Sequence, residues 1–263
     1  MFPTKCLPEF IALAHRLAEA SGEVIRRYFR ASINVEGKGD LSPVTIADRE
    51  AEQAIRALLA KERPNDGIWG EEFGKERMDA EYVWVIDPID GTRAFVTGKP
   101  VFGTLIALMR EGEPVLGIID QPVLRERWIG ALGHPTQLNG KECRVRSCPS
   151  LEQAVVNLSP NTSFETEKGM EPFRNIARVC KTTSMGGDCY VYGLLASGFV
   201  DLIVETGLKL HDFAALVPVV TGAGGKVTDW HGQPLGMHSK GEVLASGDPR
   251  VAQTVVEILR AVS

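Results

Sequence analysis

Two aspartates stand three residues apart around a proline in Asp87-Pro88-Ile89-Asp90-Gly91-Thr92, directly after the apolar run Tyr82-Val83-Trp84-Val85-Ile86. The run reads as a strand that ends at Asp87, which puts the first acid on a rigid element. Pro88 cannot continue a ladder and fixes its own φ, while Gly91 lets the chain turn sharply. Both carboxylates, with the Ile89 carbonyl between them, could then point into one small volume. Two carboxylates that close repel strongly at low effective dielectric, so either one holds its proton or a cation sits between them. Hard oxygen ligands suit Mg²⁺, Mn²⁺ or Ca²⁺ better than zinc. The plainer reading is a capped turn, with Asp90 capping the segment that follows.

Three further stretches carry a similar ambiguity. Gly70-Glu71-Glu72-Phe73-Gly74 sets adjacent acids between glycines at a strand end, either as a solvated loop or as further ligands. In Lys209-Leu210-His211-Asp212-Phe213, Asp212 opens an apolar helical pattern at an N-cap position, so it is a cap or a ligand-bearing cap. His211 beside it receives no role. Ser184-Met185-Gly186-Gly187-Asp188-Cys189-Tyr190 runs a strand through two glycines into a helix, either as a tight turn or as a set of N–H donors for phosphate oxygens. It is not the nucleotide P-loop, because no GKS or GKT follows. Gly222-Ala223-Gly224-Gly225 reads as a helix C-terminal cap and turn.

The elements that must position these groups follow from periodicity. Leu7, Phe10, Leu13, Leu17, Val24, Ile25 and Tyr28 form one face of a long helix ending near Arg30. The polar stretch from Ile33 to Thr45 reads as a loop or short hairpin. Helical spacing returns from Asp48 to Glu62 and stops at the RPNDG segment. YVWVI, GTLIALM, VLGIIDQP and RERWIGAL are strand-like, and EGEP reads as a hairpin turn. After Cys148 the texture alternates. AVVNLS, KTTSM, VDLIVE and KVTDW are strands. Helices fall near Pro172 to Cys180, Asp188 to Ser197, from Asp212, and after Asp248-Pro249. Two αβ halves are expected, residues 1–147 and 148–263, the first carrying most of the candidate acids.

Composition narrows the function classes. With 263 residues, 44% apolar and 24% charged, the chain suits one large α/β domain or two smaller ones. A net charge of −5 offers no basic field for nucleic acid or an anionic membrane surface. An acidic protein that handles an anionic substrate needs a local positive charge, and a bound cation is one source. No run approaches the roughly 20 apolar residues of a membrane span. The N-terminal stretch lacks a signal-peptide pattern, and the five cysteines form no CxxC pair, which suggests reduced thiols in a cytoplasm.

Taken together and in order, the motifs resemble the inositol monophosphatase superfamily of metal-dependent phosphatases. DPIDGT from Asp87 to Thr92 stands where that family has its acid-Pro-x-acid-Gly-Thr signature. GEEFG matches the upstream Gly-Glu-Glu pattern, and HDFAALVPVVTGAGG matches the downstream Asp before an apolar helix ending in AGG. Two positions depart from the pattern. His211 stands where the family usually has Trp, and Thr221-Gly222 stands where a Glu usually precedes the AGG. Within the superfamily, DPIDGTRAFVTGKPVFGTLIAL, GGDCYVYG and LKLHDF with ALVPVV look like the histidinol-phosphate phosphatase branch.

The resemblance implies an α/β fold layered α/β/α/β/α, with an antiparallel sheet in the first half and a smaller sheet behind it. It also implies a site. Glu71, Asp87 and the Ile89 carbonyl would hold one Mg²⁺; Asp87, Asp90 and Asp212 would hold a second. A third, weaker ion would sit by Glu71, and Mn²⁺ could substitute. Asp48 and Thr92 would orient the attacking water, with Glu71 completing the catalytic set. Gly91, Thr92, Gly186 and Gly187 would offer N–H donors to the phosphate, beside Asp90. Asp188 and Glu205 would line the pocket for the rest of the substrate. The expected activity is hydrolysis of a small phosphorylated metabolite by a homodimer, with L-histidinol phosphate as substrate and inositol 1-phosphate or a sugar phosphate as the alternative. From a different class, a non-catalytic metal-binding protein of the same fold would have no need of Asp48 and Thr92.

Overall fold

The computed structural model describes residues 5–31, 43–159 and 167–260. The loop or hairpin expected from Ile33 lies mostly outside the described residues.

Helix α1 (Pro8–Tyr28) buries Phe10, Leu13, Ala14, Leu17, Val24 and Ile25, the face that the apolar spacing requires. Pro8 occupies the first turn, where its missing N–H costs nothing. Helix α2 (Pro43–Glu62) starts about a turn before the expected Asp48 and packs beside α1. Strands β1 (Gly67–Gly70), β2 (Gly74–Glu76), β3 (Tyr82–Asp90), β4 (Gly103–Arg110), β5 (Glu113–Gln121), β6 (Glu126–Ala131), β7 (His134–Leu138) and β8 (Lys141–Glu142) form the first sheet. Their order is β2-β1-β3-β4-β5-β6-β7-β8. The sheet is mixed rather than antiparallel as expected. β1 and β3 run parallel, because β1 reaches its neighbour through a crossover that includes β2 instead of a tight hairpin.

β3 is buried along almost its whole length because both of its faces are covered. Trp84 and Ile86 pack with α1, while Val83 and Val85 face the opposite side. That side is covered by α5 (Tyr190–Ala196), α6 (Leu210–Phe213) and α7 (Leu216–Gly222). Beyond these helices lies the second sheet, in the order β10-β9-β11-β13-β12. Its strands are β9 (Val155–Ser159), β10 (Thr182–Met185), β11 (Leu202–Glu205), β12 (Lys226–Thr228) and β13 (Val243–Ser246). Alternation along β11 and β13 splits them between two cores. Ile203, Val243 and Ala245 join the central cluster; Leu202, Val204 and Leu244 join α4 (Glu167–Val179) and α8 (Pro249–Arg260) on the far face. The layers therefore run α/β/α/β/α. β13 escapes the sequence reading because four apolar residues between loop signals do not separate strand from helix by period alone. The short helix α3 (Thr92–Val96) sits where β3 ends.

Candidate active site

The first surprise is that β3 does not end at Asp87. Asp87 pairs with Leu105 and Asp90 with Gly103, so three steps on β3 oppose two on β4. One extra residue has been inserted around Pro88–Ile89, which is a β-bulge. Pro88 has no N–H to give the ladder, and its carbonyl instead accepts from Thr104 Oγ1 at 2.8 Å. The bulge has a direct chemical consequence. In a regular strand, residues three apart point to opposite faces. With one residue inserted, Asp87 and Asp90 return to the same face, the one toward α5–α7.

On that face the acids converge. One carboxylate oxygen each of Asp87, Asp90 and Asp212 lie within 4.8 Å of one another. Asp87 also forms a second group with Glu71 and His211 at the same spacing, so it is shared by both. Glu71 arrives from the end of β1, where its N–H donates to the Ile86 carbonyl at 3.1 Å. Asp212 is not the N-cap expected from the sequence. Lys209 caps α6, and Asp212 sits at the third helical position with its carboxylate accepting the Lys209 N–H at 2.7 Å. The apolar run after Asp212 is broken into two short helices, α6 and α7. Asp90 does not cap its own segment either: Gly91 is the α3 N-cap, and Asp90 Oδ2 accepts the Cys189 N–H, 2.6 Å away across the two halves.

The electrostatics show what this arrangement costs. Asp87 is 2% exposed and one of its oxygens has no hydrogen-bond partner. Burial raises its pKa, and the charges of Asp90, Glu71, Asp212 and Asp48 raise it further. Asp90 is raised by burial and then by Asp212, Asp188 and Glu205, against the lowering effect of the Cys189 thiol. Asp212 is raised by burial, with Lys209 pulling the other way. Asp48, one turn into the described part of α2, is pushed up to about 8 by burial and then by Glu72, Glu71 and Glu52. Its Oδ1 is also without a partner. Neither Asp87 nor Asp90 forms an ion pair among the described residues. Converging carboxylates, buried at Asp87 and partly buried at Asp90 and Asp212, with spare lone pairs and no Lys or Arg paired to them among the described residues, are a donor set that fits divalent metal ions.

The remaining candidates ring this cluster. Thr92 Oγ1 donates to the Ile89 carbonyl at 3.3 Å. Gly186, Gly187 and Asp188 take left-handed conformations in succession, with φ of 76°, 102° and 43°. Asn157 Nδ2 anchors this turn by donating to the Gly186 carbonyl at 2.7 Å. Asp188 leans over Gly91, where a Cβ would lie only 2.7 Å from Asp188 Oδ2. Gly91 is itself at φ 90°, so both conformation and space exclude a side chain there. The Asp188 pKa is raised by burial and pulled back by Arg93. Glu205 is pushed up to about 7 by burial, opposed by the Tyr192 hydroxyl, which donates to it at 2.9 Å. Thr221 lies at the far end of α7, bonding back to the Val217 carbonyl at 2.8 Å.

The chain matches the family model described as "Inositol monophosphatase family" over residues 7–262. It belongs to the inositol monophosphatase family. A bifunctional phosphatase, IMPL2, of the Arabidopsis thaliana chloroplast is 49% identical over 96% of this chain and 75% of its own length. A histidinol-phosphatase of Streptomyces coelicolor is 37% identical over 92% of this chain and 95% of its own. Among solved structures, an inositol monophosphatase from Zymomonas mobilis superposes with a TM-score of 0.89 at 50% identity, covering 96% of this chain and 98% of that one. The layered fold is thus that of inositol monophosphatases, and these three relatives are phosphatases.

Sequence reasoning missed a clasp behind Glu71. Glu52 is fully buried, and its carboxylate accepts the Glu72 N–H at 2.8 Å and the Phe73 N–H at 3.3 Å. Arg56 grips Glu52 at 2.7 Å and donates to the Gly74 carbonyl at 2.7 Å. A Cβ on Gly70 would fall 1.8 Å from Glu52 Oε1, so the glycine makes room for the carboxylate. The available signal was the four-residue spacing of Asp48, Glu52 and Arg56, which puts all three on one helix face.

Proposed function

We propose that this member of the inositol monophosphatase family is a Mg²⁺-dependent phosphomonoesterase acting on L-histidinol phosphate. The observation that carries the substrate is an acidic wall beyond the metal-type cluster. Asp188 and Glu205 both lie close enough to Asp90 to raise its pKa. A substrate bearing an amine and an imidazole supplies cationic donors to such a wall. The likeness to a histidinol-phosphatase along nearly the whole chain supports the same reading.

Glu71, Asp87 and the Ile89 carbonyl would hold one ion, and Asp87, Asp90 and Asp212 a second. Bound there, the ions supply the positive field that offsets phosphate charge and make water easier to deprotonate. The protein's own part is positioning. The Thr92 hydroxyl has one proton and donates it to the Ile89 carbonyl, so its oxygen faces the site as an acceptor. Asp48 Oδ1 is a second free acceptor. Two acceptors hold both hydrogens of one water and leave its lone pair for phosphorus. The water oxygen bonds to phosphorus as the ester P–O bond breaks. The water gives up one proton and the departing alcohol oxygen takes one up, so ester and water become alcohol and phosphate with no net change in protons. The glycine turn at Gly186–Gly187, with Gly91 and Thr92, presents backbone toward the phosphate.

The second reading is inositol 1-phosphate, favoured by the likeness to the Zymomonas mobilis inositol monophosphatase. Phosphate release with Mg²⁺ from each substrate at equal concentration decides between them. A large excess of kcat/KM on L-histidinol phosphate is expected. The reverse ratio would discard the substrate and keep the phosphatase; no release from either would discard the phosphatase.

A further inference from the structure

His211 is more than nine-tenths buried, and neither of its ring nitrogens has a hydrogen-bond partner. Leaving such groups unpaired costs about 1 to 3 kcal/mol each. Its Nε2 stands 3.3 Å from Asp212 Oδ1 and 3.6 Å from Glu71 Oε1, near enough to interact but not aligned as a hydrogen bond. The same residue groups with Glu71 and Asp87, all three offering one atom within 4.8 Å of the others. Asp87, a member of that group, likewise has an unpartnered oxygen, Oδ1. Ligand atoms on adjacent corners of an octahedron with bonds of about 2.1 Å stand about 3 Å apart, closer than the 3.6 Å between His211 Nε2 and Glu71 Oε1. A cation among the three would satisfy the imidazole lone pair and the unpartnered Asp87 oxygen together.

We infer that His211 is a nitrogen ligand to the ion held by Glu71 and Asp87, making one of the two metal positions a mixed nitrogen–oxygen site. This rests on the metal-dependent reading above. It carries a consequence that an all-oxygen site lacks. Imidazole is a better ligand for transition metals such as Zn²⁺ than for Mg²⁺, so this position should bind transition-metal ions, Mn²⁺ included, more tightly relative to Mg²⁺ than an all-oxygen site would. The chain has five histidines, and His211 is the one in either group of candidate ligands among the described residues.

The test is pulsed electron paramagnetic resonance on the full-length protein loaded with Mn²⁺, with histidine at natural abundance and labelled with ¹⁵N. A nitrogen coupling that changes with the label is expected, and it should vanish in His211→Gln. In that variant the Mn²⁺ Kd measured by calorimetry should weaken about 10- to 100-fold, with the Mg²⁺ Kd moving much less. Thermal unfolding of the variant checks that it folds, and the wild-type spectrum decides even if it does not. Bound Mn²⁺ without a histidine coupling would overturn the ligand role and leave the metal reading standing. Absence of any Mn²⁺ binding would overturn both.

Discussion

Asp201 and Asp87 are buried almost equally, at 1% and 2% exposure, yet they sit in opposite surroundings. Asp201 is held by Arg146 in a two-pronged pair at 2.7 and 2.6 Å, and it also accepts the Val155 N–H at 2.7 Å. Asp66 is treated the same way by Arg63 and the Trp84 indole N–H. Asp87 receives no cation from the described protein and is surrounded by Asp90, Glu71, Asp212 and Asp48. One region neutralises its buried charge with its own side chains and spends it on stability. The other leaves the charge uncompensated, which stores a demand for a ligand. A buried acid is thus informative through its partners rather than through its burial.

That contrast is easiest to break by removing one acid from each region. Asp48→Asn should lower kcat by about 10² to 10⁴-fold, the usual contribution of a positioned proton acceptor. The metal-free variant should melt no lower than wild type, because the lost charge was repelled by Glu72, Glu71 and Glu52. Asp201→Asn should do the reverse. Its unfolding free energy in urea should fall by about 3 kcal/mol, at the low end for a broken buried pair because Arg146 is partly exposed. Its kcat per folded molecule should stay at the wild-type value. Equal stability losses in both variants would dissolve the distinction.

Smaller effects sharpen it. Gly70→Ala forces a Cβ into Glu52 and should destabilise by about 1 to 3 kcal/mol while weakening Mn²⁺ binding at Glu71. Unchanged calorimetric affinity would show that the Glu52–Arg56 clasp does not position that ligand. Asp188→Asn keeps a residue tolerant of positive φ and removes only charge. It should raise KM for L-histidinol phosphate about tenfold, one charge-assisted contact, with inositol 1-phosphate affected less. Equal rises on both substrates would remove the cation-reading role.

The pH dependence is the mildest expectation, and its sign follows from linkage. Asp48 at about 8 and Glu205 at about 7 both lie above their ordinary values of 3.8 and 4.5. The folded state therefore holds protons that the unfolded chain has released. Stability from these groups is fully present below their ordinary values and is lost as pH rises through the folded ones. The metal-free protein should thus melt progressively lower from about pH 5 to about pH 8, and saturating Mn²⁺ should flatten the slope. A metal-free melting temperature that climbs over this range would contradict the burial of uncompensated acid.

Much of this site was legible along the chain because its groups come in short local runs. Asp87 to Thr92 is six residues, and chain order and spacing alone matched it to a family of phosphatases. The helices α1 and α2 and the strand at β3 were equally legible, since each keeps one period over many residues. The Glu52 clasp was not, because its meaning depends on Gly70, eighteen residues away. Asp212 was misplaced at a cap because the sequence shows an apolar run but not where that run breaks into α6 and α7.

The sequence by itself determined the family resemblance, the succession of helices and strands and the identity of the clustered acids, because periodicity and motif order are properties of the chain. Only the tertiary structure decided which way those acids point. The bulge at Pro88–Ile89 turns Asp90 onto the face of Asp87. The packing of the α6 region against β3 brings Asp212 and His211 to the same place, more than a hundred residues along the chain. Direction and long-range meeting depend on register and packing, which no local pattern encodes.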